Sequence, residues 1–70
     1  MISTAQKHLY KRFSLNGKML EVRRVEDGER PEVIIRWVNE NNELSANEFS
    51  LTLRFLLAYG KLLRPVGDAA

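Results

Sequence analysis

Residues 13–38 read FSLNGKMLEVRRVEDGERPEVIIRWV, and this stretch decides the fold. Apolar residues alternate with polar ones along three segments of it, which is typical of β-strands that bury one face. Two turn signals, Asn16-Gly17 and Glu26-Asp27-Gly28-Glu29, separate the three segments. The sequence therefore predicts a three-stranded antiparallel meander, with strands at about residues 8–15, 18–25 and 30–38.

The first turn fixes how the first two strands pair. Asn16-Gly17 is the strongest short signal for a β-hairpin, because both residues tolerate the positive φ angles of a type I′ turn. A two-residue turn sets the predicted pairs as Leu15 with Lys18, Phe13 with Leu20, and Arg12 with Glu21. Phe13 and Leu20 then share the buried face of the sheet, and the Arg12–Glu21 ion pair lies on the other face.

The second turn is harder to define. A two-residue loop would place Glu26 opposite Glu29, which like-charge repulsion disfavours, so a four-residue loop is predicted. Pro31 has no N–H to donate, so the third strand is predicted to be an edge strand that begins near it. The resulting pairs are Val25 with Arg30, Val22 with Val33, and Leu20 with Ile35. One face of the sheet would then hold Phe13, Leu15, Leu20, Val22, Val33, Ile35 and Trp37.

A C-terminal helix, from about residue 46 to about residue 63, is predicted to cover this apolar face. Ser45-Ala46-Asn47-Glu48 has the S-x-x-E form of a capping box and precedes an apolar run. The strict alternation of residues 50–55 favours a strand instead, but the cap signal and the continuation LLAYGKLL favour the helix. Gly60 has two interpretations: close approach of another backbone inside a long helix, or the cap of a helix that ends at Tyr59.

The termini complete a single α+β domain over residues 1–70. Ser3-Thr4-Ala5-Gln6 also has the form of a capping box, which predicts a short helix before Phe13 in competition with the first strand. Arg64-Pro65 would end the C-terminal helix, since the residue before a proline is disfavoured in the helical region. Residues 66–70 are predicted to be a disordered tail.

Composition argues against catalysis and against metal or cofactor binding. The 70 residues include no cysteine and one histidine, so a thiolate metal site or a Ser-His-Asp site has no basis in the sequence. Residues 51–63 are too short and too interrupted by charge to span a membrane, which needs about 20 apolar residues. The N-terminal segment lacks the apolar core of a signal peptide, so a cytoplasmic protein is expected. Because no catalytic constellation can be assembled, the protein is not expected to be an enzyme.

Charge is unevenly distributed along the chain, and this predicts a binding surface. Residues 1–25 contain six lysine and arginine residues against one glutamate, whereas residues 26–50 contain two against seven acidic residues. The outer face of the sheet, away from the helix, is predicted to bind nucleic acid by gripping phosphates and stacking a base. The candidate residues for this site are Tyr10, Lys11, Arg12, Arg23, Arg24 and Arg36.

The predicted helix is apolar around more of its circumference than one sheet can cover. The surplus predicts a homodimer or a protein partner, with an interface that includes Leu51, Phe55, Tyr59 and Leu62. The sequence thus favours a small dimeric nucleic-acid-binding protein, such as a regulator of transcription or an accessory protein of a phage or plasmid. The alternatives are an inhibitor or adaptor that occupies the surface of a protein partner, and a structural homo-oligomer.

Overall fold

The computed structural model describes residues 6–63, which form one antiparallel sheet of five strands and a short α-helix. A 3-10 helix, Gln6–His8, precedes β1 (Arg12–Leu15), β2 (Lys18–Glu26) and β3 (Glu32–Val38). The elements that follow are β4 (Phe49–Thr52), α1 (Leu53–Tyr59) and β5 (Lys61–Leu63). The strand order across the sheet is β4-β3-β2-β1-β5, so the last strand lies beside the first. The α+β fold is confirmed, and the sheet is larger than predicted.

The predicted meander forms the centre of this sheet, with one added strand on each side. β4 pairs with β3, and β5 pairs with β1. β3 is therefore an inner strand, and its predicted place at the sheet edge is wrong. Pro31 lies just before β3, where its carbonyl accepts a hydrogen bond of 2.8 Å from the backbone N–H of Leu53. The predicted capping box at residues 3–6 begins outside the described residues, and the predicted tail lies wholly outside them.

The first hairpin forms as predicted. Asn16 and Gly17 have φ angles of 55° and 82°, which are the left-handed values that a type I′ turn requires. The pairs Arg12–Glu21, Phe13–Leu20 and Leu15–Lys18 are all present. Turn chemistry and hydrophobic pattern agree in this hairpin, which is why the sequence alone determines its register.

The predicted pairing of β2 with β3 is wrong by two residues. Leu20 lies opposite Trp37 and Val22 opposite Ile35, and the connecting loop spans residues 27–31. Beyond Val22 the register shifts again, because Arg23 is an extra residue that forms a β-bulge. The bulge places Val25 opposite Val33, so that Val25 also packs against the core. It brings Glu26 opposite Glu32, a like-charge pair, although the four-residue loop was predicted in order to keep Glu26 away from Glu29.

The long C-terminal helix is replaced by a strand, a helix of seven residues and a second strand. Residues 49–52 extend the ladder of β3, which satisfies backbone groups that a helix there would leave unpaired. The Ser45 hydroxyl accepts a hydrogen bond from the N–H of Asn47 in a local turn and caps no helix. The N-cap of α1 is Thr52, whose hydroxyl accepts from the N–H of Phe55 at 3.1 Å.

The core lies between α1 and one face of the sheet. Its buried members are Phe13, Leu20, Val22, Val33 and Ile35 from the sheet, and Leu53 and Leu56 from α1. Leu15 and Trp37 are partly buried against them. All seven residues that the sequence assigns to the covered face of the sheet therefore contribute to the core, although part of the register differs from the prediction.

Gly60 is the C-cap of α1, which agrees with the second of its two interpretations. A Cβ atom added here would lie 2.6 Å from the carbonyl oxygen of Leu56 and 2.9 Å from the Leu56 Cδ1. Gly60→Ala should therefore lower the free energy of unfolding by about 1–3 kcal/mol, as other overpacked positions do. Urea unfolding followed by the fluorescence of Trp37 measures this change. Gly28→Ala is the control, since an added Cβ meets nothing within 4 Å there, and equal midpoints for the two variants would contradict the expectation.

Candidate nucleic-acid interface

The open face of the sheet, which faces away from α1, carries four arginines on three adjacent strands: Arg12 on β1, Arg23 and Arg24 on β2, and Arg36 on β3. We call this surface the arginine face. The bulge explains why both consecutive arginines of β2 reach it. Arg23 contacts Glu21. Arg24 and Arg36 both contact the carboxylate of Glu48, and Arg36 lies opposite Glu21 on the neighbouring strand.

The first cluster of the arginine face surrounds Glu21, which is only 8% exposed. The Arg12 Nε donates to Glu21 Oε1 at 3.0 Å, and the Arg23 Nη1 donates to Oε2. The Arg12 Nη1 also donates to the side-chain oxygen of Asn42. Burial alone would raise the pKa of Glu21, but hydrogen bonds and charge from the two arginines outweigh it and lower that pKa.

The second cluster surrounds Glu48, in the connection between β3 and β4. The Arg36 Nε and Nη2 donate to Glu48 Oε2 at 3.2 and 3.1 Å, and the Arg24 Nη2 donates to Oε1 at 3.3 Å. Both clusters share one arrangement, in which a single carboxylate holds two guanidinium groups. The two clusters therefore contain four positive charges against two negative ones, and the arginines are held in defined positions.

Tyr10 borders the first cluster. Its φ angle of 64° is in the left-handed region, which is strained for a bulky residue. Its backbone N–H donates to the carbonyl of Val22 at 2.8 Å, and its ring is exposed, with the Arg23 Cζ 5.4 Å from the ring centre. Lys11 is exposed beside it. The pKa of His8 is lowered by burial and by the charges of Lys7 and Lys11.

Five of the six residues predicted for nucleic-acid binding take part in these contacts, and the sixth, Lys11, is exposed next to Tyr10 in the chain. Arg12, Arg23 and Tyr10 form one group, and Arg24 and Arg36 form the second. The Arg12–Glu21 pair is predicted from the sequence, whereas the contacts of Glu48 and Asn42 are not. Glu48 falls within the predicted helix, and no sequence signal connects Asn42 to β1.

A second surface feature lies on the covered side of the sheet, at the end near the first hairpin. It is a cleft of about 520 Å³, which we call the aromatic cleft, and its walls are Leu15, Asn16, Lys18, Trp37, Phe55 and Tyr59. The rings of Phe55 and Tyr59 are 4.9 Å apart between centres, tilted by 46°.

The residues predicted for a dimer or partner interface are divided among three places. Phe55 and Tyr59 line the aromatic cleft, whereas Leu51 is half-buried against the core. Leu62 is exposed on β5, which is an edge strand of the described sheet. The sequence did not predict that Trp37 and Lys18 would lie beside Phe55 and Tyr59. They do so because of the position of α1 on the sheet.

Comparisons with protein-family models, with curated proteins and with solved structures find no match to this chain. Within residues 6–63, no three histidine, aspartate or glutamate side chains are grouped so as to hold a metal ion. In the same range, no helix has the length and apolar content needed to cross a membrane.

The lowered pKa of Glu21 makes stability depend on pH. Its pKa in the fold is below the ordinary 4.5, so its stabilisation is present above pH 4.5 and is lost as the pH falls through the folded-state pKa. Glu21→Gln should lower the free energy of unfolding at neutral pH by about 1–3 kcal/mol and should flatten its decline in acid. Urea unfolding at a series of pH values measures both effects.

Glu40→Gln is the matched control, because Glu40 is exposed in the connection between β3 and β4. This variant should keep the wild-type dependence of stability on pH. An acid decline in Glu21→Gln as steep as that of the wild type would show that the Glu21 cluster does not carry the effect.

Proposed function

We propose that this protein binds nucleic acid through the arginine face. The observation that carries the proposal is the pair of clusters in which Glu21 and Glu48 each hold two arginines. Guanidinium groups bind phosphate oxygens through paired N–H donors, and each group has five such donors. Within residues 6–63 the two carboxylates use only part of them, so donors remain for phosphate.

The arrangement suits a phosphate backbone in its dimensions. Neighbouring strands are about 4.7–4.9 Å apart, so arginines on β1, β2 and β3 extend over about 10 Å across the sheet. Side chains already held by carboxylates lose little conformational freedom when a phosphate binds. The exposed ring of Tyr10 at the border of this array offers a surface on which a base can stack.

The two clusters carry a surplus of two positive charges, while Glu26 and Glu32 lie on the same face of the sheet, so we expect the affinity for nucleic acid to be modest. Binding that rests on a few phosphate contacts is modest at physiological salt, and its affinity falls as the salt concentration rises. A small regulator of transcription, or an accessory protein of a phage or plasmid, would use such a surface together with a second one. Self-association is the simplest way to double the array.

Substitutions in the second cluster test this proposal with little risk to the fold, because Arg24 and Arg36 are partly exposed. Arg24→Gln and Arg36→Gln should each weaken binding to labelled DNA and lower the slope of log K against log salt by about 0.7–0.9. Glu48→Gln removes the negative charge between them and should strengthen binding. Fluorescence anisotropy at low and near-physiological salt measures all three variants.

Arg54→Gln is the control, since it removes the same charge from an exposed position on α1, away from the arginine face. It should leave binding close to the wild-type value. An equal loss for Arg54→Gln and Arg36→Gln would mean that net charge alone matters, and no binding at low salt would reject the proposal.

A second candidate function, binding of a protein partner, is favoured by an exposed apolar residue on β5. Leu62 is 55% exposed and does not line the aromatic cleft. An exposed apolar side chain on an edge strand is suited to contact with another chain. The simplest such partner is a second copy of this protein, which would give the predicted homodimer.

Leu62→Asp tests self-association at this edge. If Leu62 lies in the interface, light scattering after gel filtration should give a dimer mass for the wild type and a monomer mass for the variant. Lys61→Asp places the same side chain on the opposite face of β5 and should leave the dimer intact. A monomer mass for the wild type at high protein concentration would reject the homodimer.

A further inference from the structure

The aromatic cleft is a separate feature from the arginine face, and it gathers half of the chain's aromatic residues. The sequence has three phenylalanines, two tyrosines and one tryptophan, and three of these six side chains line the cleft. Trp37 is half-buried against the core, while Phe55 and Tyr59 are 43% and 71% exposed. The core uses only Leu53 and Leu56 of α1, so neither ring is needed to attach the helix to the sheet.

The charge of the cleft limits what can occupy it. Lys18 contributes an ammonium group to the cleft wall, and none of the carboxylates in the described part of the chain lines the cleft. Among the ion pairs of residues 6–63, none involves Lys18. Lys18 is exposed, so its ammonium group can pair with a negative charge on a ligand in the cleft. The wall chemistry therefore favours a ligand that joins a flat π-surface to a negative charge.

A nucleotide has both of these features. Its base can stack on Trp37, Phe55 or Tyr59, and its phosphate can pair with Lys18. The side-chain amide of Asn16 adds a donor and an acceptor within reach of a base edge. The volume of about 520 Å³ is within the range of sites that take small molecules.

We propose that the aromatic cleft binds one unstacked base of a single-stranded nucleic acid. Bases inside a duplex are already stacked and paired, so a stacking cleft of this kind discriminates in favour of single strands. This inference rests on the proposed nucleic-acid function and makes it specific: the arginine face binds phosphates, and the cleft on the opposite side gives the preference for a single strand.

The fluorescence of Trp37, the chain's single tryptophan, gives a direct readout of the cleft. The full chain is titrated with an oligothymidylate of about ten nucleotides and with a duplex of the same length. The single strand should quench Trp37 saturably, and the duplex should leave its emission unchanged. Phe55→Ala and Tyr59→Ala should each weaken binding of the single strand by about tenfold or more and leave duplex binding unchanged.

Three further variants separate stacking from general effects. Tyr59→Phe keeps the ring and should restore binding, whereas Lys18→Gln should weaken it and lower the salt slope by about 0.7. Leu57→Ala is the matched control, because Leu57 is as exposed as Phe55 on the same helix but does not line the cleft. Its binding should equal that of the wild type.

Three outcomes would contradict the proposal, and each points to a different explanation. In the first, the oligonucleotide binds without changing Trp37 fluorescence and with unchanged affinity in Phe55→Ala and Tyr59→Ala. That result would overturn the proposed binding of a base in the cleft and would leave the proposed role of the arginine face intact. Loss of self-association in those two variants, without loss of DNA binding, would assign the cleft to a second copy of the chain and overturn the inference. Absence of binding to either nucleic acid would reject both proposals together.

Discussion

Both faces of the sheet depend on the extra residue that Arg23 inserts into β2. In a regular strand, residues three positions apart point to opposite faces, so Val22 and Val25 would not both reach the core. The bulge lets Val25 pack beside Val22, and it lets Arg23 and Arg24 both contact carboxylates on the open face. One inserted residue therefore completes the core and gives the arginine face two consecutive cationic side chains.

The two arginine clusters differ in how much they contribute to stability, and therefore in how free they would be for the proposed binding of phosphate. Glu21 is buried, and a buried carboxylate is costly unless it is paired, so Arg12 and Arg23 compensate a charge that the fold already contains. Glu48 is partly exposed, and its ion pairs with Arg24 and Arg36 contribute little to stability. The second cluster is thus the part of the surface that is freer to exchange its carboxylate contacts for contacts with phosphate.

Local signals in the sequence determine the parts of the fold that are local in space. Asn16-Gly17 is sufficient to fix the first hairpin and the Arg12–Glu21 pair, because turn and strands are adjacent in the chain. The spacing of Val22 and Val25 carries a signal for the bulge, since two apolar residues three apart within a strand need an extra residue to share one face. This signal is overlooked when the strand is assumed to alternate regularly along its whole length.

Long-range pairing decides the parts that local signals do not. Residues 49–52 are a strand because β3 offers them backbone partners, such as Ile35 opposite Phe49, and this outweighs the capping pattern at Ser45. The contacts of the two candidate sites could not be predicted for the same reason. Glu48 reaches Arg24 and Arg36 only because β4 lies beside β3, and Trp37 meets Phe55 only because α1 begins where β4 ends.

Because α1 is short, the strands on either side of it determine its position. A helix of seven residues has little stability of its own in water, where isolated helices need about 12–15 residues. Its N-cap, Thr52, is the last residue of β4, and Gly60 alone separates its end from β5. Phe55 and Tyr59 are therefore held at both ends by paired strands. A cleft wall held in this way is already formed before a ligand arrives, so the proposed binding of a base would require little ordering of the protein and would keep more of the stacking energy as affinity.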